Sequence, residues 1–320
     1  MCSSSTLRAV LIGATVIAAT NAPAQDYPNK PIRIVTSEPG GGTDYGARLI
    51  AQGLTSNMGQ QVIVENRGGA SGALMSNLVA KSTPDGYTLL YHSNALYLSP
   101  FMQDNVGYDP VKDFAPVILA AKSPSVLCVH PAVPASSVKE LIALARAKPG
   151  TLNYGSGAVG LLAAELLKSM TGVNIVHVRY KGAGPALNAT IAGEIQVIMA
   201  ASGGIGAQIK AGRVRALAVT GATRSPAFPD LPTVAEAAAL PGFESVAVHG
   251  IYAPGATPAA IVSRLNQEIA RVTATADVKD KLLAAGIEVA GGTPAQFAAA
   301  IKSEMTVMGK VIKDAGIRVQ

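Results

Sequence analysis

Pro39-Gly40-Gly41-Gly42-Thr43-Asp44 stands directly after the short apolar run Ile32 to Thr36 and directly before a helix-like stretch. Three glycines between a strand and a helix let the backbone turn tightly and expose its N–H groups, and the following helix points the positive end of its dipole at the same place. The stretch reads as an anion site at the head of a strand-turn-helix unit. The same pattern recurs outward from it. Residues 61–65 lead through Gly68-Gly69-Ala70-Ser71-Gly72 into a helix ending near Lys81, and residues 87–92 read as a third strand. Strands alternating with helices predict an α/β fold built from βαβ units.

A second alternation opens with a buried strand at 125–130, stopped by Pro131. Ser136-Ser137 start a helix that runs to Lys148, with Ser137 and Glu140 at capping-box spacing, and Pro149-Gly150 end it. Strands at 152–155, 174–180, 196–199 and 215–220 follow, with helices at 161–171 and 185–192. This block is complete in itself and reads as a second lobe. Past a Pro- and Ala-rich stretch at 229–243 come a strand at 246–253 and two amphipathic helices, 258–285 (broken near Ala276-Asp277) and 294–315. Each helix opens on a Thr-Pro pair, Thr257-Pro258 and Thr293-Pro294, with Thr as cap. One strand and two helices are too few for a third domain, so they are expected to pack back on the first lobe. The chain then crosses between lobes twice, near 122–127 and near 242–247. The expected division is 1–24 as a separate leader, 25–124 with 246–320 as lobe 1, and 125–245 as lobe 2. Two crossings make a hinge, and a hinged cleft suits closure around a small ligand.

The leader follows from Arg8, the apolar run at 9–19 and Ala22-Pro23-Ala24, the pattern of a cleaved signal peptide. The apolar run falls well short of the roughly 20 residues that span a bilayer, so export is expected rather than anchoring. Cys2 lacks the setting of a lipidated cysteine, and its removal leaves Cys128 alone, without a disulfide partner. With 320 residues, 49% hydrophobic and 14% charged, the chain is long enough for two cores. Its formal charge is +6, and 4% aromatic residues with no Trp give no basic-aromatic surface for nucleic acid.

Around the first turn, the amides of Gly41, Gly42 and Thr43 with the Thr43 hydroxyl could grip a carboxylate or phosphate, with Gly40 and Asp44 flanking them. No G-x-G-x-x-G pattern and no G-K-[ST] pattern is present, which argues against a nucleotide. Ser93-Asn94 follow the third strand, where small polar side chains face the crevice of a parallel sheet, or make an ordinary turn. Tyr154-Gly155-Ser156-Gly157 could present Ser156 and backbone amides from the other side of the cleft. Tyr180-Lys181-Gly182-Ala183-Gly184 has the same strand-to-helix logic, and a purely structural turn is the alternative for each. Candidates for catalysis are few. His92, His130, His177 and His249 sit in strand-like runs with no metal-ligand spacing, Cys128 lies in an apolar strand, and no G-x-S-x-G elbow occurs. Nothing nominates an enzyme, a metal or a cofactor.

Several stretches together resemble the Bug family, the extracytoplasmic solute-binding receptors of tripartite tricarboxylate transporters. They are 27–33 (YPNKPIR), the 39–44 turn, 64–67 (VENR), 84–89 (PDGYTL), 108–114 (YDPVKDF), 152–156 (LNYGS), 180–182 (YKG), 216–220 (ALAVT) and 228–236 (FPDLPTVAE). The likeness runs through essentially the whole chain past the leader. It implies a two-lobed periplasmic-binding-protein fold of type II and a periplasmic, monomeric receptor without metal or cofactor. It also implies a small organic carboxylate held between the lobes and handed to membrane transporter subunits. Carried over, the ligand contacts fall on Gly40, Gly41, Gly42, Thr43 and Asp44, on Ser93 and Asn94, and on Ser156, Gly157, Lys181, Gly182 and Ala183.

The chain departs from the family pattern in three places. The loop after Ser156 is shorter, with Leu161 where a His is usual; Ala200 stands where an Asp is common; and Arg179 replaces a common Pro. Without the acid at Ala200 an amino-bearing ligand loses its counter-charge. The expected ligand is therefore an organic anion without an ammonium group, its apolar part meeting Leu161 and Ala200. Alternatives are a sensory subunit signalling to a membrane kinase, or a hydrolase or isomerase acting on a carboxylate.

Overall fold

The structure, a computed structural model, describes residues 27–39, 42–68, 72–156, 158–180 and 183–318. The expected leader and the candidate residues Gly40, Gly41, Gly157, Lys181 and Gly182 lie outside them.

The first lobe begins as its alternation predicts. Strand β1 (Ile32–Thr36) leads to helix α1 (Gly42–Met58), β2 (Val62–Asn66) to α2 (Ala73–Ala80), and β3 (Thr88–Ser93) to α3 (Ala95–Met102). β1 lies between β2 and β3, parallel to both. Helix α3 was hidden in the sequence by Pro100, which brings no N–H to bond the Leu96 carbonyl. The Tyr108 hydroxyl donates to that carbonyl instead, at 2.8 Å, so the helix continues past its proline.

One strand joins the two lobes. β4 (Phe114–Val129) runs for 16 residues. Its first part, up to Pro124, pairs antiparallel with β9 (Val246–Pro254), and Ser125 onward pairs with β7 (Val197–Ala201), with β8 (Arg215–Val219) joining it from Val126. Sequence reading found only the second part, because Pro116 interrupts the first. The structure accommodates that proline at a register shift between Pro116 and Ile118. The chain returns at Ser245, whose amide bonds the Thr220 carbonyl in lobe 2, while Val246 already pairs with Pro124. Right at the crossing, the Ser125 amide donates to the Thr220 hydroxyl at 2.9 Å.

In lobe 2, α4 (Val138–Ala147) starts on Ser137, whose side chain accepts from the Glu140 amide. β5 (Asn153–Ser156) leads to α5 (Ala158–Thr171), and β6 is reduced to Val176–His177 at the sheet edge. Helix α6 (Ala183–Ile191) precedes β7. Helix α7 (Ser202–Lys210) was not visible in the sequence, since three of its nine residues are glycines, each costing about 1 kcal/mol relative to alanine. Between β8 and β9, the Pro- and Ala-rich stretch forms the short α8 (Val234–Ala238), closed by a Thr233–Glu236 capping box.

The C-terminal elements pack against β3, β4, α1 and α3. α9 (Ala259–Ala274) and α10 (Ala276–Ala284) share Thr275 as the break, the short β10 (Glu288–Val289) pairs with β4, and α11 (Pro294–Asp314) follows. The two Thr-Pro starts differ. Thr293 makes a full capping box with Gln296, whereas α9 begins on Pro258 and the Thr257 hydroxyl has no partner. α1 and α9 close one face of lobe 1 over Ile34, Leu54, Leu89 and Leu265. On the other face, Phe297 and Ile312 of α11 join a core that runs through Leu127 and Tyr154 into lobe 2. Burying a side chain such as Phe297 stabilises by about 2–3 kcal/mol, so α11 ties the lobes together on one side of the crossing.

Candidate functional site

At the head of α1 the side chains form a closed network. The Ser37 and Thr43 hydroxyls hydrogen-bond each other. The Asn66 amide at the end of β2 donates to the Ser37 carbonyl at 2.6 Å and to Asp44 Oδ1 at 2.7 Å. Arg48, one turn along α1, grips both carboxylate oxygens of Asp44 at 3.0 and 3.1 Å and donates to Asn66 Oδ1 at 2.8 Å. Asp44, buried and in the first turn, thus holds the end of β1, the end of β2 and the start of α1 in one geometry, with its charge favoured by the helix dipole. Gly42 faces Ile287, to which an added Cβ would lie 3.7 Å away.

Beside this network lie two neutral histidines that the sequence suggested were merely structural. The Ser93 amide donates to His92 Nδ1 at 2.9 Å, which places the ring proton on Nε2. That Nε2 has no partner and points at Gly72, where an added Cβ would sit 2.5 Å from it. Burial, reinforced by His249, lowers the His92 pKa to about 3. His249 is paired in register with Ser93, stacks on Tyr91 at 6.2 Å and meets the Ser123 hydroxyl at 3.5 Å, and its Nδ1 is also unpartnered. Burial brings its pKa down to about 4.

Lobe 2 presents Ser156 at the carboxyl end of β5. It is 5% exposed and its hydroxyl has no partner. Tyr180 packs over the neighbouring Gly155, and Gly160 lets α5 approach so closely that an added Cβ would lie 2.0 Å from the Met199 carbonyl. The Ser125 hydroxyl, at the crossing, is likewise unpartnered. Buried polar groups are normally paired. Four that are not are His92 Nε2, His249 Nδ1 and the Ser125 and Ser156 hydroxyls, on β3, β9, β4 and β5.

The lobes touch around this place. Ser202, at the start of α7, donates to the Gly286 carbonyl at 2.9 Å, next to the Ile287 that faces Gly42, and Ser225 bonds Glu288. Gly42 and Thr43 lie at the start of α1, Ser93 ends β3, Ser156 ends β5 and Ala183 begins α6. Two candidates are engaged elsewhere. The Asn94 amide donates to the Val246 carbonyl and to Glu304 at 2.7 Å, and Ala200 packs with Val126, Cys128, Ile198 and Ile205. Sequence reading missed His92, His249, Ser125 and Ser202. Their signal was polar residues within or closing apolar strands. Among the described residues no cluster of three His, Cys, Asp or Glu could hold a metal ion, and no helix is long and apolar enough to cross a membrane.

This arrangement, two α/β lobes joined through the long strand β4, has clear relatives. Residues 46–317 match the tripartite tricarboxylate transporter family receptors, TctC. The chain belongs to this family. It is 33% identical to the protein BugT of Bordetella pertussis over 303 residues, 93% of each chain. The R. palustris protein Rpa4515, solved with adipate, superimposes with a TM-score of 0.75 at 37% identity, covering 92% of this chain and 99% of that one. MatC from Rhodopseudomonas palustris, solved with malate, gives 0.69 at 30% identity over 89% and 100%. The chain is accordingly a two-lobed solute-binding receptor of an extracytoplasmic family, and not an enzyme.

Proposed function

We propose that this receptor captures a small organic carboxylate between its lobes and delivers it to the membrane subunits of a tripartite tricarboxylate-type transporter. It works in the periplasm as a monomer, after loss of residues 1–24, with lobe 1 formed by 25–124 and 246–320 and lobe 2 by 125–245. The observation that carries the reading is the likeness along 92% of the chain to a receptor solved with adipate. The geometry supports it in two ways. The head of α1 carries the positive end of the helix dipole, which favours a negative charge. The buried groups left open, His92 Nε2 and the Ser156 hydroxyl, are able to donate to carboxylate oxygens.

In this reading Gly40, Gly41, Gly42 and Thr43 bind the carboxylate, Asp44 and Asn94 hold the binding loops in shape, and Ser156, Gly157, Lys181, Gly182 and Ala183 close over it. Ala200, which is apolar, leaves no counter-charge for an ammonium group. Isothermal calorimetry with mono- and dicarboxylates and amino acids tests this. A carboxylate lacking an amino group should bind tightly and amino acids should not. Tight binding of an amino acid with no simple carboxylate bound would overturn the proposal.

A further inference from the structure

A cavity of about 270 Å³ lies between α11, the paired strands β4 and β9, and the 242–246 stretch that leads into β9. None of the described residues assigned above to the carboxylate lines it. Leu119 and Val248 of the strands and Phe297 and Met308 of α11 give it an apolar wall. Lys122, Glu244 and Glu304 bring charge to the same lining.

Those charges do not cancel. Lys122, the only cation of the lining, is held by Glu244 at 2.8 Å. Among the described residues the Glu304 carboxylate makes no ion pair and accepts from two neutral donors, the Asn94 amide at 2.7 Å and the Tyr97 hydroxyl at 2.6 Å. Burial raises its pKa against those two hydrogen bonds, with Glu244 adding to the rise and Lys122 opposing it. A carboxylate withdrawn from water is normally matched by a cation, and here the match is missing while space for it is present. The place is also a sensitive one. Asn94, which Glu304 holds, donates at 3.1 Å to the carbonyl of Val246, where the chain returns from lobe 2.

We propose that this cavity binds a small amphiphilic ammonium, a primary amine on a short alkyl chain. The ammonium supplies Glu304 with its missing counter-charge, and the chain is covered by Leu119, Val248, Phe297 and Met308. An apolar wall with a few convergent polar groups is the usual make-up of a small-molecule site. A neutral molecule of the same shape gains the apolar cover but leaves Glu304 unmatched, and an organic anion meets two carboxylates. A metal ion is poorly served, since no three His, Cys, Asp or Glu among the described residues come together to hold one. The guest is thus opposite in charge to the ligand proposed for the cleft, and the two sites stand or fall separately.

Calorimetry at neutral pH in an amine-free buffer tests the site, with n-butylammonium as probe and butan-1-ol as its neutral counterpart of the same length, on wild type, Glu304→Gln and Lys122→Met. The wild type should bind the ammonium about tenfold or more tightly than the alcohol. Glu304→Gln should bring the two within about threefold of each other. Lys122→Met removes the competing cation and should tighten the ammonium about threefold or more, a gain that loss of structure cannot produce. The site is overturned by a wild type that binds neither probe or both equally, by a preference that survives in Glu304→Gln, or by a Lys122→Met variant that binds the ammonium no better than wild type. Where Glu304→Gln melts well below wild type, Lys122→Met alone decides, tighter binding supporting the site and unchanged or weaker binding overturning it.

Discussion

The junction of β1 with α1 and that of β5 with α5 are the same motif, a strand ending in a glycine-bearing turn that opens a helix, yet the structure treats them differently. At the first, Ser37, Thr43, Asp44, Arg48 and Asn66 hydrogen-bond one another and hold the ends of β1 and β2 to the start of α1. At the second, α5 is pressed onto β7 at Gly160, and the Ser156 hydroxyl is left without a partner. One side of the cleft is built for stability and holds a shape. The other junction leaves a hydroxyl open, as His92 and His249 leave ring nitrogens open elsewhere in lobe 1. Preorganising one wall limits the ordering cost of binding, while an unsatisfied group in the other makes the right ligand better than an empty cleft.

Three substitutions test the contrast, in order of expected effect. Gly160→Ala puts a methyl group against the Met199 carbonyl and should lift α5 from β7, costing about 3 kcal/mol in chemical denaturation. A variant as stable as wild type would show that the second junction is not tightly packed. Asp44→Ala removes the acceptor shared by Arg48 and Asn66 and should cost about 2 kcal/mol, with weaker ligand binding as the turn relaxes. Urea melts and calorimetry on one sample read both, and loss of affinity at full stability would make Asp44 a ligand contact rather than a brace. Ser156→Ala should stay within about 0.5 kcal/mol of wild type in stability, since no bond is lost. Its ligand affinity should nonetheless fall about tenfold. If it melts early and binds normally, the hydroxyl is structural and the contrast between the junctions fails.

The fold was legible wherever period and punctuation agreed. β1, α1 and β9 follow from apolar runs bounded by glycine and proline, and α11 from its Thr293 start. What stayed hidden was hidden by residues that usually break structure: Pro100 in α3, rescued by a tyrosine hydroxyl; Pro116 in β4, placed at a register shift; and the glycines of α7. For the site, strand ends were where to look, because that is where α/β folds leave backbone groups open. The condition of each side chain was not legible, since partners come from far along the chain. Asn94 is taken up by Glu304, 210 positions away, and Asp44 by Asn66. The two histidines looked ordinary until burial showed them neutral, with ring nitrogens lacking partners.

The passage of β4 from one lobe to the other has a mechanical consequence. Pro124 has no amide to give, and the next residue donates to the Thr220 hydroxyl instead of to a neighbouring strand's carbonyl. A carbonyl in a sheet cannot follow an amide that rotates away from it, but a hydroxyl can swing about its own bond. Residues 124 and 125 thus donate no amide to a strand carbonyl at this point, while the Thr220 amide holds the Ser125 carbonyl at 2.9 Å. The 16-residue strand thus carries, at the crossing, one place where its own amide is held by a side chain rather than by a neighbouring strand.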